Sequence, residues 1–186
     1  MEKINYLALL RGINVGGKNV IKMDFLKEIF EKMGFYDVKT YIQSGNVLFK
    51  DIELEKEKLA KKIEEALFKN TNYEIMALVI TLSDFEKIIK DIPEEFGNNI
   101  KKYAYDVLFL MDTLKPKEIM NKIKMVEGED KIYEGKKALY VKRFSGKLTG
   151  SYIVKALKIS PNITVRNLKI TKELYELMLE RNNNIK

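Results

Sequence analysis

An α+β fold made of two split β-α-β halves is the fold class that the sequence predicts, and three observations predict it. Strand and helix patterns follow one another in the order β-α-β-β-α-β, and the same order returns after a linker. A short glycine-containing turn separates the second and third strands of each half, which is typical of hairpins. The composition, 46% hydrophobic and 33% charged over 186 residues, is that of a globular protein. We therefore expect two mainly antiparallel sheets and an added C-terminal helix.

The first half, residues 1–81, is predicted from four apolar strands and from two helices whose apolar residues recur at helical spacing. Strands are predicted at Tyr6–Leu10, Val38–Gln43, Asn46–Phe49 and Ile75–Ile80. The helices are predicted around Leu26, Ile29, Phe30 and Met33 and around Leu59, Ile63, Ala66 and Leu67. Gly34 is suited to end the first helix, because glycine readily adopts the left-handed conformation that follows many helices.

The second half, residues 104–186, follows a helix around Phe85–Ile89 and a linker, which together occupy residues 82–103. Strands are predicted at Ala104–Met111, Ile132–Tyr133, Ala138–Lys142 and Ile163–Val165. Helices are predicted at Pro116–Met125 and Tyr152–Leu157, and a terminal helix is predicted through Leu174, Leu177 and Met178. The second half therefore repeats the element order of the first and adds the terminal helix.

The chain has no cysteine and no histidine, which removes several classes of site. Disulfides, Cys and His zinc sites and nucleophiles activated by an imidazole base all need one of these residues. We predict no metal site and no cofactor, so any reaction must use Asp, Glu, Lys, Arg, Tyr, Ser or Thr side chains. No signal-peptide pattern and no run of about eighteen apolar residues occurs, which predicts a cytoplasmic protein without a membrane partner.

The most informative segment is the glycine-rich loop Arg11–Asn19, which follows the first strand. Its glycines permit positive φ and expose backbone N–H groups, and its Arg, Lys and Asn side chains add charge and hydrogen-bond donors. We therefore predict that the loop binds a phosphorylated or otherwise anionic small molecule or nucleotide. The predicted ligand-binding residues of the loop are Arg11, Gly12, Asn14, Gly16, Gly17, Lys18 and Asn19.

Other interpretations of this loop stay open. Gly12 and Gly17-Lys18 reproduce the spacing of a P-loop, but Asn19 stands where Ser or Thr would bind Mg²⁺, which argues against nucleoside triphosphate hydrolysis. A plain glycine turn with solvated cations is a second interpretation. A third is a His-independent enzyme on an anionic substrate, in which Arg11 and Lys18 stabilise developing negative charge.

The predicted topology brings a second polar turn beside the loop. In a split β-α-β unit, the first strand ends at the same edge as the hairpin between the second and third strands. We therefore expect the glycine-rich loop to meet that hairpin, and we expect the connection Asn70–Tyr73 to border the same edge. The hairpin adds four predicted ligand-binding residues, Gln43, Ser44, Gly45 and Asn46. A plain hairpin turn is the alternative at these positions.

Positive charge is concentrated in the C-terminal half of a chain whose formal net charge is +7. The first 95 residues carry 15 cations and 17 anions, whereas residues 96–186 carry 19 cations and 10 anions. This bias is compatible with a nucleic-acid-binding module, although solvated lysines would give the same composition. A secondary basic site is predicted at Arg143, Lys147, Arg166 and Asn167, and Ser145 is expected to lie at the same edge of the sheet. In the structural alternative, Arg166 and Asn167 cap the terminal helix or form ion pairs.

Several motifs resemble a bacterial family catalogued as domain of unknown function 1697. The resemblance is dense over residues 5–50, where it is carried by Leu9–Asn19, Met23, Gly34-Phe35 and Thr40–Val47. It continues to Thr164–Asn167, which resembles the family's C-terminal Thr-Arg-Asn-Trp motif, although Leu168 replaces the tryptophan. The resemblance implies an α+β fold with two ferredoxin-like halves and implies no particular activity.

Overall fold

The computed structural model describes residues 3–52, 55–123, 130–145 and 156–183. The chain forms two compact units, one containing the residues up to Leu82 and those from Glu176 onward, and the other spanning Ser83–Tyr175. Each unit holds a four-stranded antiparallel sheet with interleaved helices. The predicted α+β fold of two ferredoxin-like halves with a C-terminal helix is therefore confirmed.

The first unit follows the predicted element order. It contains β1 (Ile4–Arg11), α1 (Met23–Lys32), β2 (Tyr36–Tyr41), β3 (Asn46–Asp51), α2 (Lys56–Thr71) and β4 (Met76–Thr81). The strands lie in the order β2-β3-β1-β4, and each neighbouring pair is antiparallel. The C-terminal end of β1 therefore lies at the same edge as the β2–β3 hairpin and the start of β4.

The core of the first unit lies between its sheet and the helices α1 and α2. Successive side chains of a strand point to opposite faces, so alternate residues of β1 enter this core. Tyr6 stacks on Phe49 there with ring centroids 5.5 Å apart, and Leu26 of α1 is fully buried. On the other face of the sheet, the Asn5 amide donates to Asn182 Oδ1 at 3.5 Å, which brings the end of the C-terminal helix to that face.

The second unit repeats this arrangement. Its elements are α3 (Leu82–Lys90), β5 (Tyr103–Leu110), α4 (Pro116–Lys122), β6 (Lys131–Glu134), β7 (Ala138–Phe144), β8 (Ile163–Asn167) and the first part of α5 (Leu168–Asn183). The strands lie in the order β6-β7-β5-β8, again with antiparallel neighbours. Helix α5 belongs to this unit up to Tyr175 and to the first unit from Glu176.

Two helices of the second half differ from the sequence prediction or extend beyond the described residues. Helix α4 ends at Lys122, because Ile123 leaves helical geometry at φ −83° and ψ 100° and is itself buried. Residues 124 and 125, the last two of the predicted helix Pro116–Met125, lie outside the described residues. A β-branched residue loses little by leaving a helix when the extended position buries it. Most of the predicted helix Tyr152–Leu157 lies outside the described residues, and residues 156–159 are helical. No helix in the described ranges is long and apolar enough to cross a membrane.

Candidate functional site

The glycine-rich loop folds into a small hairpin after β1. Val15 and Lys18 form an isolated antiparallel bridge, in which the Lys18 N–H donates to the Val15 carbonyl oxygen at 3.1 Å. Gly16 and Gly17 form the turn with φ of +58° and +73°, the left-handed pair that a type I′ turn requires. Both glycines are exposed, so their backbone N–H groups lie at the protein surface.

Asn14 joins this loop to the β2–β3 hairpin. Its amide nitrogen donates to the carbonyl oxygens of Ile21 and Gln43, both at 3.0 Å, and its side-chain oxygen accepts from the Ile21 N–H at 2.8 Å. A second link runs from the Leu10 N–H to the Gly45 carbonyl oxygen at 2.7 Å. The glycine-rich loop and the hairpin turn therefore lie together at one edge of the sheet, where the strand topology predicts them.

We expect Asn14→Ala to lower the free energy of unfolding by about 2 kcal/mol, because it removes three hydrogen bonds and leaves the N–H of buried Ile21 without its acceptor. Asn19→Ala is the matched control, since Asn14 and Asn19 have nearly equal positive φ of 53° and 47°. The control loses one exposed bond and should cost less than half as much. Equal losses in urea unfolding would contradict the role of Asn14 as the link.

Two further asparagines of the predicted site hold turns in place. Asn19 Nδ2 donates to the Gly12 carbonyl oxygen at 2.9 Å. Asn46 is fully buried, and its Nδ2 donates to the Tyr41 carbonyl oxygen at 3.1 Å and to Ser44 Oγ at 2.8 Å. The amides of these side chains therefore hold the two loops in their folded shape.

Ile42 in the hairpin has an unfavourable backbone conformation. Its φ is +46°, where β-branched side chains clash with their own backbone, and its side chain is exposed. We expect Ile42→Asn to raise the free energy of unfolding by about 1 kcal/mol, because asparagine tolerates this conformation. Ile100→Asn is the control, since Ile100 is also exposed but has no positive φ. If both variants unfold at the same urea concentration, Ile42 is not strained.

The cations of the loop, and Lys22 just after it, differ in their surroundings. Lys18 and Lys22 are exposed, and neither forms an ion pair within the described ranges. Arg11 is half-buried at the end of β1, where burial lowers the pKa of its guanidinium. The first carboxylate after Arg11 is Asp24, in the first turn of α1. Between Arg11 and Asp24 the chain therefore carries cations and no carboxylate. No group of three or more acidic residues that could hold a metal occurs in the described part of the chain.

An open pocket of about 300 Å³ adjoins the end of the loop. It is lined by Val20–Lys22, which follow the loop, by Phe25 of α1, and by Thr71 and Tyr73 at the connection between α2 and β4. Thr71 Oγ1 donates to the Leu67 carbonyl oxygen at 2.7 Å and accepts from the Tyr73 N–H at 3.1 Å, which fixes this connection at the end of α2. The connection that we expect to border the loop edge therefore lines a pocket together with the residues that follow the loop.

Sequence reasoning did not select Val20, Lys22 or Phe25 as site residues. Phe25 is 38% exposed, whereas Leu26 and Ile29 on the same helix are buried. The sequence carries a weak signal, because Phe25 lies beside the apolar stripe that begins at Leu26 and is not needed to continue it. Single exposed apolar side chains are common on protein surfaces, so this position alone does not mark Phe25 as a site residue in the sequence.

The structure does not gather the residues of the secondary basic site on one surface. In the strand register, Arg143 lies on the face of β5 that carries Asp106, whereas Arg166 lies on the opposite face. Arg143 Nε donates to Asp106 Oδ2 at 2.8 Å. Lys147 lies outside the described residues. The register thus places the side chains of Arg143 and Arg166 on opposite faces of the sheet, because successive residues of a strand point to opposite sides.

Arg166 and Asn167 make contacts that support the fold. Arg166 is buried, and its Nη1 donates to Thr164 Oγ1 at 3.0 Å and to the Val165 carbonyl oxygen at 2.7 Å. Burial lowers the pKa of Arg166 to about 10. Asn167 Oδ1 accepts from the Ile170 N–H at 2.9 Å, which is the hydrogen bond of a helix N-cap. Asn167 therefore caps α5, as the structural alternative predicts.

The fold and the loops define an α+β protein of two ferredoxin-like units, the first of which carries a cationic glycine-rich loop. The chain belongs to the family described as "Protein of unknown function (DUF1697)", whose sequence profile matches residues 4–140. The resemblance seen in the motifs is thereby confirmed, and the C-terminal motif lies beyond the matched residues.

A solved structure shares this fold along nearly the whole chain. It is the structure of the conserved bacterial protein SP0830 from Streptococcus pneumoniae, which is 26% identical to this chain and superposes with a TM-score of 0.78. The match covers 95% of this chain and 99% of the other. No curated protein matches the chain at a significant level.

Proposed function

We propose that this protein binds a phosphorylated or otherwise anionic small molecule at the glycine-rich loop. The observation that carries the proposal is a pair of exposed lysines, Lys18 and Lys22, on either side of the pocket-lining residues Val20 and Ile21. Neither lysine has an ion-pair partner within the described ranges. A cation without a partner beside an open pocket favours an anionic ligand, because ligand binding supplies the missing counter-charge.

The backbone of the loop supports the same ligand class. Gly16 and Gly17 present their N–H groups at an exposed turn. Because glycine has no side chain, an anion can approach the backbone N–H groups of this turn directly. Asn14 and Asn19 contribute indirectly, since their amides hold the loop in the shape that exposes these groups. The binding function therefore rests on Lys18, Lys22 and the backbone of the turn.

We expect pyrophosphate and ribose 5-phosphate at millimolar concentration to raise the melting temperature of the full chain. Lys18→Ala should weaken binding about five-fold in calorimetric titration, because a charge-assisted contact contributes roughly 1 kcal/mol at an exposed site. Lys131→Ala is the control, since Lys131 is an exposed lysine in the other unit. Absence of any shift with every phosphate probe, or equal effects of the two variants, would count against the proposal.

A single-stranded oligonucleotide separates this proposal from the nucleic-acid alternative. Binding by the basic C-terminal half should fall steeply with salt, because phosphate contacts release counterions. It should also weaken in Lys131→Ala and Lys136→Ala, two exposed lysines of the second unit, and remain unchanged in Lys18→Ala. Oligonucleotide binding with this pattern, without binding of small phosphates, would replace the proposed function by the alternative.

A further inference from the structure

The pocket beside the loop contains two aromatic residues from different elements. Phe25 is 38% exposed and makes no aromatic contact within the described residues, and half-buried Tyr73 lines the same pocket from the α2–β4 connection. An exposed phenyl ring keeps apolar surface in water, and a planar ring placed against it removes that surface. Nucleobases stack on such side chains whatever their identity, because each base has a π face.

The polar groups of the pocket suit a ring that carries hydrogen-bonding atoms. Thr71 Oγ1 is already engaged with Leu67 and with the Tyr73 N–H. The Tyr73 hydroxyl has no hydrogen-bond partner in the described part of the chain, so it can donate to or accept from a ligand. Lys22 adds a cation at the same pocket. A purely apolar ligand would leave both of these groups unused.

The size of the pocket limits the part of a ligand that it can hold. Its volume of about 300 Å³ is at the small end of ligand pockets, which span roughly 300 to 1,000 Å³. One base with part of its sugar fits such a volume, and a dinucleotide does not. Lys22 at the pocket and Lys18 two residues before Val20 then supply positive charge for a phosphate that remains at the protein surface.

We propose that the anion bound at the glycine-rich loop is a mononucleotide, with its base against Phe25 and Tyr73 and its phosphate at Lys22 and Lys18. This inference rests on the proposed function and specifies the class of the ligand. The base supplies the planar surface that covers Phe25, and the phosphate supplies the counter-charge that the two lysines lack. A base alone would leave the two lysines without a counter-charge, and a phosphate alone would leave the Phe25 ring exposed to water.

Calorimetric titration of the full chain with AMP, GMP, CMP and UMP tests this inference, with adenosine and ribose 5-phosphate as the two halves of one ligand. We expect at least one nucleotide to bind about ten-fold or more tightly than either half. Phe25→Leu keeps an apolar side chain and removes the ring, so it should weaken nucleotide binding about ten-fold and leave ribose 5-phosphate binding unchanged. Phe68→Leu is the matched control, since Phe68 is an exposed phenylalanine of α2 that does not line the pocket.

Lys22→Met should weaken binding of both the nucleotide and ribose 5-phosphate, and urea unfolding should confirm that each variant is folded. Tyr73→Leu provides a second test of the base contact if Phe25→Leu lowers stability. Ribose 5-phosphate binding without any gain from a base, or equal effects of Phe25→Leu and Phe68→Leu, would overturn the mononucleotide and leave the proposed function standing. Failure of every phosphate probe to bind would remove both.

Discussion

Gly45→Ala is expected to lower the free energy of unfolding by about 4 kcal/mol, which is more than we expect from any other single substitution in the loops. A Cβ on Gly45 would lie 2.9 Å from Leu10 Cβ and 2.9 Å from two side-chain atoms of Ile13. Leu10 belongs to the central strand β1, and Ile13 is almost completely buried, so neither can withdraw without disturbing the core. The φ of +73° at Gly45 adds the cost that an L side chain pays in the left-handed region.

Gly16→Ala is the matched control for this substitution. Gly16 also has positive φ, at +58°, but nothing lies within 4 Å of a Cβ placed there. Gly16→Ala should therefore lower the free energy of unfolding only by the cost of the backbone conformation, which is about 1 kcal/mol. Urea unfolding of the two variants separates close packing from backbone conformation. If both variants lower the free energy of unfolding by similar amounts, the loop and the hairpin can move apart to accommodate the new Cβ. The close approach at Gly45 would then not contribute to stability.

The meeting of loop and hairpin was predictable because it depends on topology alone. The strand patterns and the Ser44-Gly45 turn fix the order β2-β3-β1-β4, and this order brings the end of β1 beside the hairpin. The same holds for the connection that contains Tyr73, because β4 starts opposite Arg11. Features that follow from strand order therefore survive errors of a few residues in the predicted boundaries.

The roles of individual side chains were less predictable, because they depend on register and packing. Asn14, Asn19 and Asn46 look like ligand groups in the sequence, yet their amides bind backbone carbonyls that only the folded loops bring within reach. Arg143 lies near the end of β7 and Arg166 near the end of β8, the two strands that flank β5. A shift of one residue in the register of either strand would decide whether the two side chains share a face of the sheet. Composition shows which groups are available, and register decides which of them meet.

The corresponding edge of the second unit shows how the same topology can serve a different purpose. There Lys137 in the β6–β7 turn lies 2.9 Å from Asp112 Oδ1, just after β5, and 2.8 Å from Asp84 Oδ1 on α3. The charge on Lys137 is therefore balanced inside the unit. In the first unit the neutral amide of Asn14 makes the equivalent link, and the charge on Lys18 is left without a described partner. This contrast favours the first unit as the place where an external anion binds.

Arg143→Met is expected to lower the free energy of unfolding by about 3 kcal/mol near neutral pH. Asp106 lies on the central strand β5 with only 8% of its side chain exposed, and Arg143 is 27% exposed, so water cannot replace the lost partner fully. Burial raises the pKa of Asp106, and the Arg143 guanidinium opposes that rise through a hydrogen bond and its charge. Methionine keeps much of the length of the side chain, which limits the loss to the charged contact.

The pH dependence of this loss separates charge from packing. Without Arg143 the effect of burial on Asp106 is no longer opposed by that guanidinium, so the pKa of the carboxyl rises further in the folded protein. The folded state then binds the proton more tightly than the unfolded state, whose pKa is about 3.9. The charge-dependent part of the destabilisation is complete above the folded pKa and decreases as the pH falls through it. The deficit of Arg143→Met should therefore be smaller at pH 5 than at pH 7.5.

Replacing Asp106 as well provides the control for that measurement. In an Asp106→Asn background the site holds no carboxyl that titrates, so Arg143→Met should cost the same at both pH values and less than in the natural chain. Lys27→Met, which removes an exposed ion pair with Glu31 at 3.6 Å, should cost about 0.3 kcal/mol and set the scale for a surface contact. Two results would contradict this role for the charge of Arg143. The loss of free energy of unfolding in Arg143→Met would be the same at both pH values, or it would be equally large in the Asp106→Asn background. Either result would show that Arg143 stabilises the protein through packing.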